Sequence, residues 1–116
     1  MFTIFLHVRA TSNWLSLSRQ QRATIFDQHV QQPIQASPAL RMRYFDAEAF
    51  HARVSDVILI ETEDLKAYYF FIENLKDSPI FSEQFFTLID IIPSIENGFL
   101  EYEATLTECE RAEIIG

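Results

Sequence analysis

The strongest constraint on this chain is the order in which its hydrophobic repeats change period. A two-residue alternation gives way to a helical spacing, then to two more strand-like stretches, a second helical spacing and a last strand-like run. In the first stretch, residues 2–9, Phe2, Ile4, Leu6 and Val8 share one face, and Thr3, Phe5, His7 and Arg9 share the other. Residues 10–17 read as a loop that carries Trp14. Ser18 with Gln21 three residues on is a capping-box pattern, and Ile25, Phe26, His29 and Val30 continue it at helical spacing until Pro33 ends the helix near Gln32.

Residues 40–45 predict the second strand, and residues 46–53 a turn or short helix. Residues 54–61 predict the third strand, whose centre, Val57-Ile58-Leu59-Ile60, is apolar on both faces and belongs in a covered, central position. Thr62, Glu63 and Asp64 supply a cap and negative charge to a second helix with the stripe Leu65, Tyr68, Tyr69, Ile72 and Leu75. Asp77-Ser78-Pro79 breaks that helix. Residues 85–92 predict a fourth strand stopped by Pro93, and Asn97-Gly98 predicts a tight turn into a short fifth strand over 99–102.

The order β-α-β-β-α-β is the split βαβ, or ferredoxin-like, α+β sandwich. Right-handed crossovers then give the spatial order four, one, three, two, with both helices on one face. The other face carries Phe5, Phe45 and aliphatics of the third and fourth strands, too apolar for water. A second copy packed sheet to sheet covers it, so a homodimer and an α+β barrel across that dimer are expected. Residues 1–104 form one domain, and residues 105–116 an acidic tail.

Composition narrows the chemistry. Two glycines among 116 residues leave no glycine-rich phosphate loop, and one cysteine leaves no internal disulfide and no cysteine-based zinc site. His7, His29 and His51 are scattered without ligand spacing, so neither a metal nor another cofactor is expected. Cys109 sits between Glu108 and Glu110, where negative charge raises a thiol's pKa and dulls it. The net charge of -8 is uneven: residues 1–53 carry +3 and residues 54–116 carry -11. Nucleic acid and anionic membrane are therefore not expected as partners. The arginines of the first half are expected to pair with acids of the second. The absence of a basic leader and of a long apolar run, with a single unpaired cysteine, points to the cytoplasm.

Several segments in combination resemble one family. They are Trp14-Leu15, Phe45-Asp46-Ala47-Glu48-Ala49-Phe50, Ser55-Asp56-Val57, Glu61-Thr62 with Asp64-Leu65, Ala67-Tyr68-Tyr69, and Leu75 with Asp77-Ser78. Together they are similar to the darcynin family of small bacterial proteins, across nearly the whole chain. The resemblance carries over no catalytic role, because the family has no established activity. At fold level the architecture resembles the dimeric α+β barrels, a group that includes cofactor-free monooxygenases, isomerases, haem-binding enzymes and ligand-binding modules.

Topology supplies a candidate site. Strand one ends at Arg9, antiparallel strand three begins near Asp56, and strand two ends at Asp46. Arg9, Trp14, Asp46, Glu48 and Asp56 should therefore gather at one end of the sheet, with His7 one step inside. Such a set suits a small polar or aromatic ligand, with His7 as acid or base near neutral pH. The plainer expectation is an Arg9–Asp56 or Arg43–Glu48 ion pair that ties loops to the sheet, with His7 hydrogen-bonded in the dimer interface. Two functions compete: a homodimeric small-molecule-binding or interaction module, and a cofactor-independent monooxygenase or isomerase with His7 as base.

Overall fold

The computed structural model describes residues 1–106, so Cys109 and most of the acidic tail over 105–116 lie outside the described residues. Strands β1 (Phe2–Ala10), β2 (Leu40–Asp46), β3 (Asp56–Thr62) and β4 (Phe86–Ile95) form one antiparallel sheet in the order β2-β3-β1-β4. This is the predicted ferredoxin-like α+β topology, with β1 and β3 at its centre, the latter through its Val57-Ile58-Leu59-Ile60 run apolar on both faces.

One face of the sheet is the core face. Ile4, Leu6, Val8, Ile58 and Ile60 are buried there against Val30, Phe71, Ile72, Leu75 and Ile80 from the helical layer. Among the described residues the other face bears no helix. Its rows follow from the register: Arg41–Glu61–Thr3–Ser94, Arg43–Leu59–Phe5–Ile92 and Phe45–Val57–His7–Asp90. Beyond His7 a bulge in β4 shifts the register before Leu88.

The helical layer departs from the sequence expectation at instructive points. The Trp14 loop contains a short helix, α1 (Ser12–Leu15), and buries its indole against Phe85 and Phe86 with ring centroids at 5.7 and 4.8 Å. Helix α2 (Arg19–Phe26) starts at the predicted Ser18–Gln21 capping box. It does not stop before Pro33. A π-helical segment, Asp27–Gln31, carries it into α3 (Gln32–Gln35), with Gln32 N donating to Asp27 O five residues back. The wider π turn moves aside the carbonyl that a proline ring strikes in an α-helix, so Pro33 is accommodated.

Helix α4 (Leu65–Asp77) is capped by Asp64, whose carboxylate accepts from Lys66 N at 3.0 Å and Ala67 N at 3.2 Å. Its buried residues are Phe71, Ile72 and Leu75, while the expected stripe members Leu65 and Tyr69 are exposed. Ser78 ends α4 and caps α5 (Pro79–Ser82), a turn of helix that the Asp77-Ser78-Pro79 break conceals. Pro93 does not stop β4. That strand has only β1 as a neighbour, and an edge strand tolerates a missing N–H. The expected fifth strand is instead α6 (Gly98–Ala104). A tight hairpin of the Asn-Gly type needs positive φ at both central residues. Asn97 has φ 51°, but Gly98 does not take positive φ, so the chain turns into a helix.

Candidate functional site

The expected cluster divides between the two faces of the sheet. Arg9 follows the parity of His7 and lies exposed on the helix-free face, whereas Asp56 pairs with Val8 and points to the helical side. The expected Arg9–Asp56 pair is therefore absent, the expected Arg43–Glu48 pair does not form either, and among the described residues Arg9 has no ion pair. Trp14 is a core residue rather than a ligand contact.

On the helical side, Asp46 and Asp56 are cross-strand neighbours, and Asp46 Oδ1 accepts from Glu48 N at 3.2 Å. Ser55 Oγ accepts from Ala10 N at 2.7 Å and donates to Asp56 Oδ2 at 2.7 Å. Tyr44 also donates its hydroxyl to Asp56, and its ring meets Phe26 edge-on at 5.3 Å. Desolvation raises the Tyr44 pKa, and the hydrogen bond to Asp56 and the charges of Asp56, Asp46 and Glu48 raise it further. Behind this tyrosine lies a void of about 20 Å³ between helices and sheet, lined by side chains such as Leu6, Val8, Val30, Ile58, Phe81 and Leu88. It has room for about one water and no polar wall to hold it, so it is a dry packing defect.

The helix-free side holds the more open chemistry. Asp90 stands between His7, with Nδ1 at 3.9 Å, and Arg53, with Nη2 at 3.8 Å, both measured to Oδ2. These separations are ion-pair range rather than hydrogen bonds, and exposed pairs of this kind stabilise a fold by about 0–1 kcal/mol. His51 completes the group. Its Nδ1 accepts from Arg53 N at 3.1 Å and Val54 N at 2.9 Å, which holds the ring in place. His7, His51, Arg53 and Asp90, with Ala47, Val54 and Val57, line a concavity of about 310 Å³. It offers donors and acceptors over an apolar floor, the usual composition of a small-molecule site. Among the described residues no group of three or more His, Cys, Asp or Glu is arranged to hold a metal ion.

Of the six residues expected from sequence, the structure keeps Asp46, Glu48 and Asp56 near one another and gives His7 different neighbours. Asp90, Arg53 and His51 were not among those six. Asp90 carried a signal, as the lone charge within the apolar run of residues 85–92. A carboxylate there needs a polar face beside it.

The sequence model of the family described as "Darcynin, domain of unknown function" matches residues 1–108. Darcynin from Chromobacterium violaceum is 52% identical over 71 residues, covering 61% of this chain and 90% of that protein. Darcynin 1 from Acinetobacter baumannii is 36% identical over 90 residues, covering 78% of this chain and all (100%) of that protein. Among solved structures, a variant of chlorite dismutase from Candidatus Nitrospira defluvii superposes with TM-score 0.70 at 16% identity, covering 87% of this chain and 43% of that one. A heme-binding protein from Thermus thermophilus superposes with TM-score 0.68 at 10% identity, covering 79% and 38%. The chain thus spans less than half the length of these solved neighbours, and at such identities the likeness speaks for the fold alone. The chain belongs to the Darcynin family.

Proposed function

We propose that this Darcynin-family protein is a homodimeric binding module whose helix-free sheet faces pack together and hold a small molecule in the cleft of His7, His51, Arg53 and Asp90. The observation that carries the reading is the composition of that face. Phe5, Phe45, Val57, Leu59 and Ile92 form an apolar band across all four strands, interrupted by the His7–Asp90–Arg53 group. Phe45 and Ile92 are exposed in the lone chain. A second sheet would cover the band, exclude water and strengthen every polar contact in the cleft. The -8 charge argues against nucleic acid as a partner. No described helix is long and apolar enough to cross a membrane; a cytoplasmic place is part of the same proposal and rests on the sequence.

Light scattering after gel filtration should give twice the 13.6 kDa chain mass, and a clean monomer at every concentration overturns the dimer. Small carboxylic acids and phenols, screened by NMR, should shift the His7 and His51 ring signals. The shifts should vanish in His7→Ala. A screen in which no compound moves either ring overturns the binding cleft.

One observation favours a second reading, a cofactor-independent monooxygenase or isomerase. The Asp90 carboxylate beside His7 Nδ1 would orient the ring and leave Nε2 to take a proton from a bound substrate. Turnover with dioxygen alone, or substrate isomerisation lost in both His7→Ala and Asp90→Asn, would select it.

Haem is a different case. One neighbour is named as heme-binding, but in this chain the space between helices and sheet is about 20 Å³ and none of its walls is a histidine. The described residues do not fit a porphyrin there. Haemin should titrate without a saturable, stoichiometric Soret band; a band abolished by a histidine substitution reverses this.

A further inference from the structure

We infer that α6 is a clasp, and that its occupant is the β2 edge of a second copy of this chain. The inference rests on the homodimer proposed above and adds which edges meet and what holds them. Phe99 and Tyr102 are 66% and 61% exposed, three residues apart and so on one side of the helix, with Leu100 at 50%. Ile95, at the end of β4, is 44% exposed and lies against the start of the arm at Gly98. Glu96 and Glu101 are exposed beside it, so the arm is both aromatic and acidic.

The matching surface lies at the opposite edge of the sheet. Arg41 and Arg43 are exposed on the helix-free face of β2, and the Arg43 guanidinium sits 5.1 Å from the Phe45 ring centroid. A guanidinium on an aromatic face accepts a further ring readily and still pairs with a carboxylate. The arm comes near Arg43 of its own chain at its root, where Ile95 and Glu96 line one concavity with that residue, and no residue of α6 lines it. The arm leaves from the β4 edge, and β2 lies three strand spacings away, about 14 Å.

A two-fold axis parallel to the strands removes that separation. It turns one sheet onto the other with strand direction kept and edge order reversed, so β4 of one copy faces β2 of its partner. The residue rows stay level. Ser94 shares its row with Arg41 and Ile92 shares its row with Arg43, and the arm therefore leaves β4 at the level of the partner's Arg41. Phe99 and Tyr102 then cover the partner's Arg41 and Arg43, and Glu101 supplies the opposite charge. The symmetry repeats the contact, giving two clasps per dimer.

Single-cysteine variants test the placement in a Cys109→Ser background. Tyr102→Cys and Arg41→Cys, mixed as dimers and mildly oxidised, should form an interchain cross-link that neither variant forms alone. Phe99→Ser with Tyr102→Ser should raise the dimer dissociation constant at least tenfold. Arg41→Glu with Arg43→Glu should do the same, and Glu101→Arg should recover part of that loss. A wild-type dimer with no cross-link and an unchanged dissociation constant in the arm variant overturns the clasp and leaves the dimer standing. A wild-type chain that stays monomeric overturns both.

Discussion

Tyr44 and Asp56 show how a single pair of side chains decides the character of one sheet face. The phenol donates to a carboxylate that also takes the Ser55 hydroxyl, so neutral Tyr44 is the form the fold prefers. Its pKa is raised above the ordinary value of 10.0. The folded chain thus releases this proton later than the unfolded chain, and the stabilisation present below pH 10 declines as pH rises beyond it. Tyr44→Phe should cost about 1 kcal/mol at neutral pH, the usual worth of one hydrogen bond on a partly exposed ring. The same variant should show a shallower loss of stability between about pH 9 and 11, read by urea melts at each pH. A parallel decline in both proteins would assign the alkaline loss elsewhere. The failed Arg9–Asp56 pairing belongs at this scale too. The ends of the two strands are neighbours, as the topology required. What hid the outcome is the run Val57-Ile58-Leu59-Ile60, apolar at every position. Such a run erases the period-two signal, so nothing in it says whether Asp56 shares a face with Val8 or with Arg9.

Among the elements, the best-specified boundary is the entry to α4. Thr62 is buried, and its hydroxyl donates to Ala39 O at 2.8 Å while accepting from Asp64 N at 2.9 Å. One side chain thus fastens the connection before β2 to the start of the helix. Thr62→Val keeps the shape and strands both backbone groups, so it should destabilise the fold by about 2–3 kcal/mol, whereas Thr62→Ser should cost less than half of that. Chemical denaturation of the two variants decides whether the hydroxyl or the methyl matters. Capping signals of this kind were legible in sequence because they act over three residues: Ser18 with Gln21 and Asp64 behaved as read. The two prolines did not, because their effect depends on what lies next to them in space. Pro33 follows a π turn and Pro93 lies on an edge. The Asn97-Gly98 signal marked a turn correctly, but the direction of exit depends on which of the two residues takes positive φ.

The whole molecule is a half-covered sheet with its charge divided along the sequence. The helical layer was readable, since it follows from the order of periods. The other face was readable only as a need for cover. If α6 grips the partner's arginines, the dimer joins acidic to basic surface, and such attraction is screened by salt. Raising sodium chloride from about 50 mM to about 500 mM should weaken the dimer several-fold, measured by sedimentation. Association driven by the apolar band alone would hold or tighten over that range.

The strand order also sets a timetable for synthesis. β1 is made first and sits between β3 and β4, so its two neighbours arrive only after the ribosome has added most of the remaining chain. The β2–β3 hairpin is the one strand pairing that joins consecutive strands. Until residue 95 clears the exit tunnel, one side of β1 has nothing to bond, and its apolar rows are open to strangers. Pairings between distant parts of a chain also form slowly. A nascent chain of this topology therefore carries an unpaired strand edge until its last strand is made, and its yield in a cell should depend on how fast β4 follows.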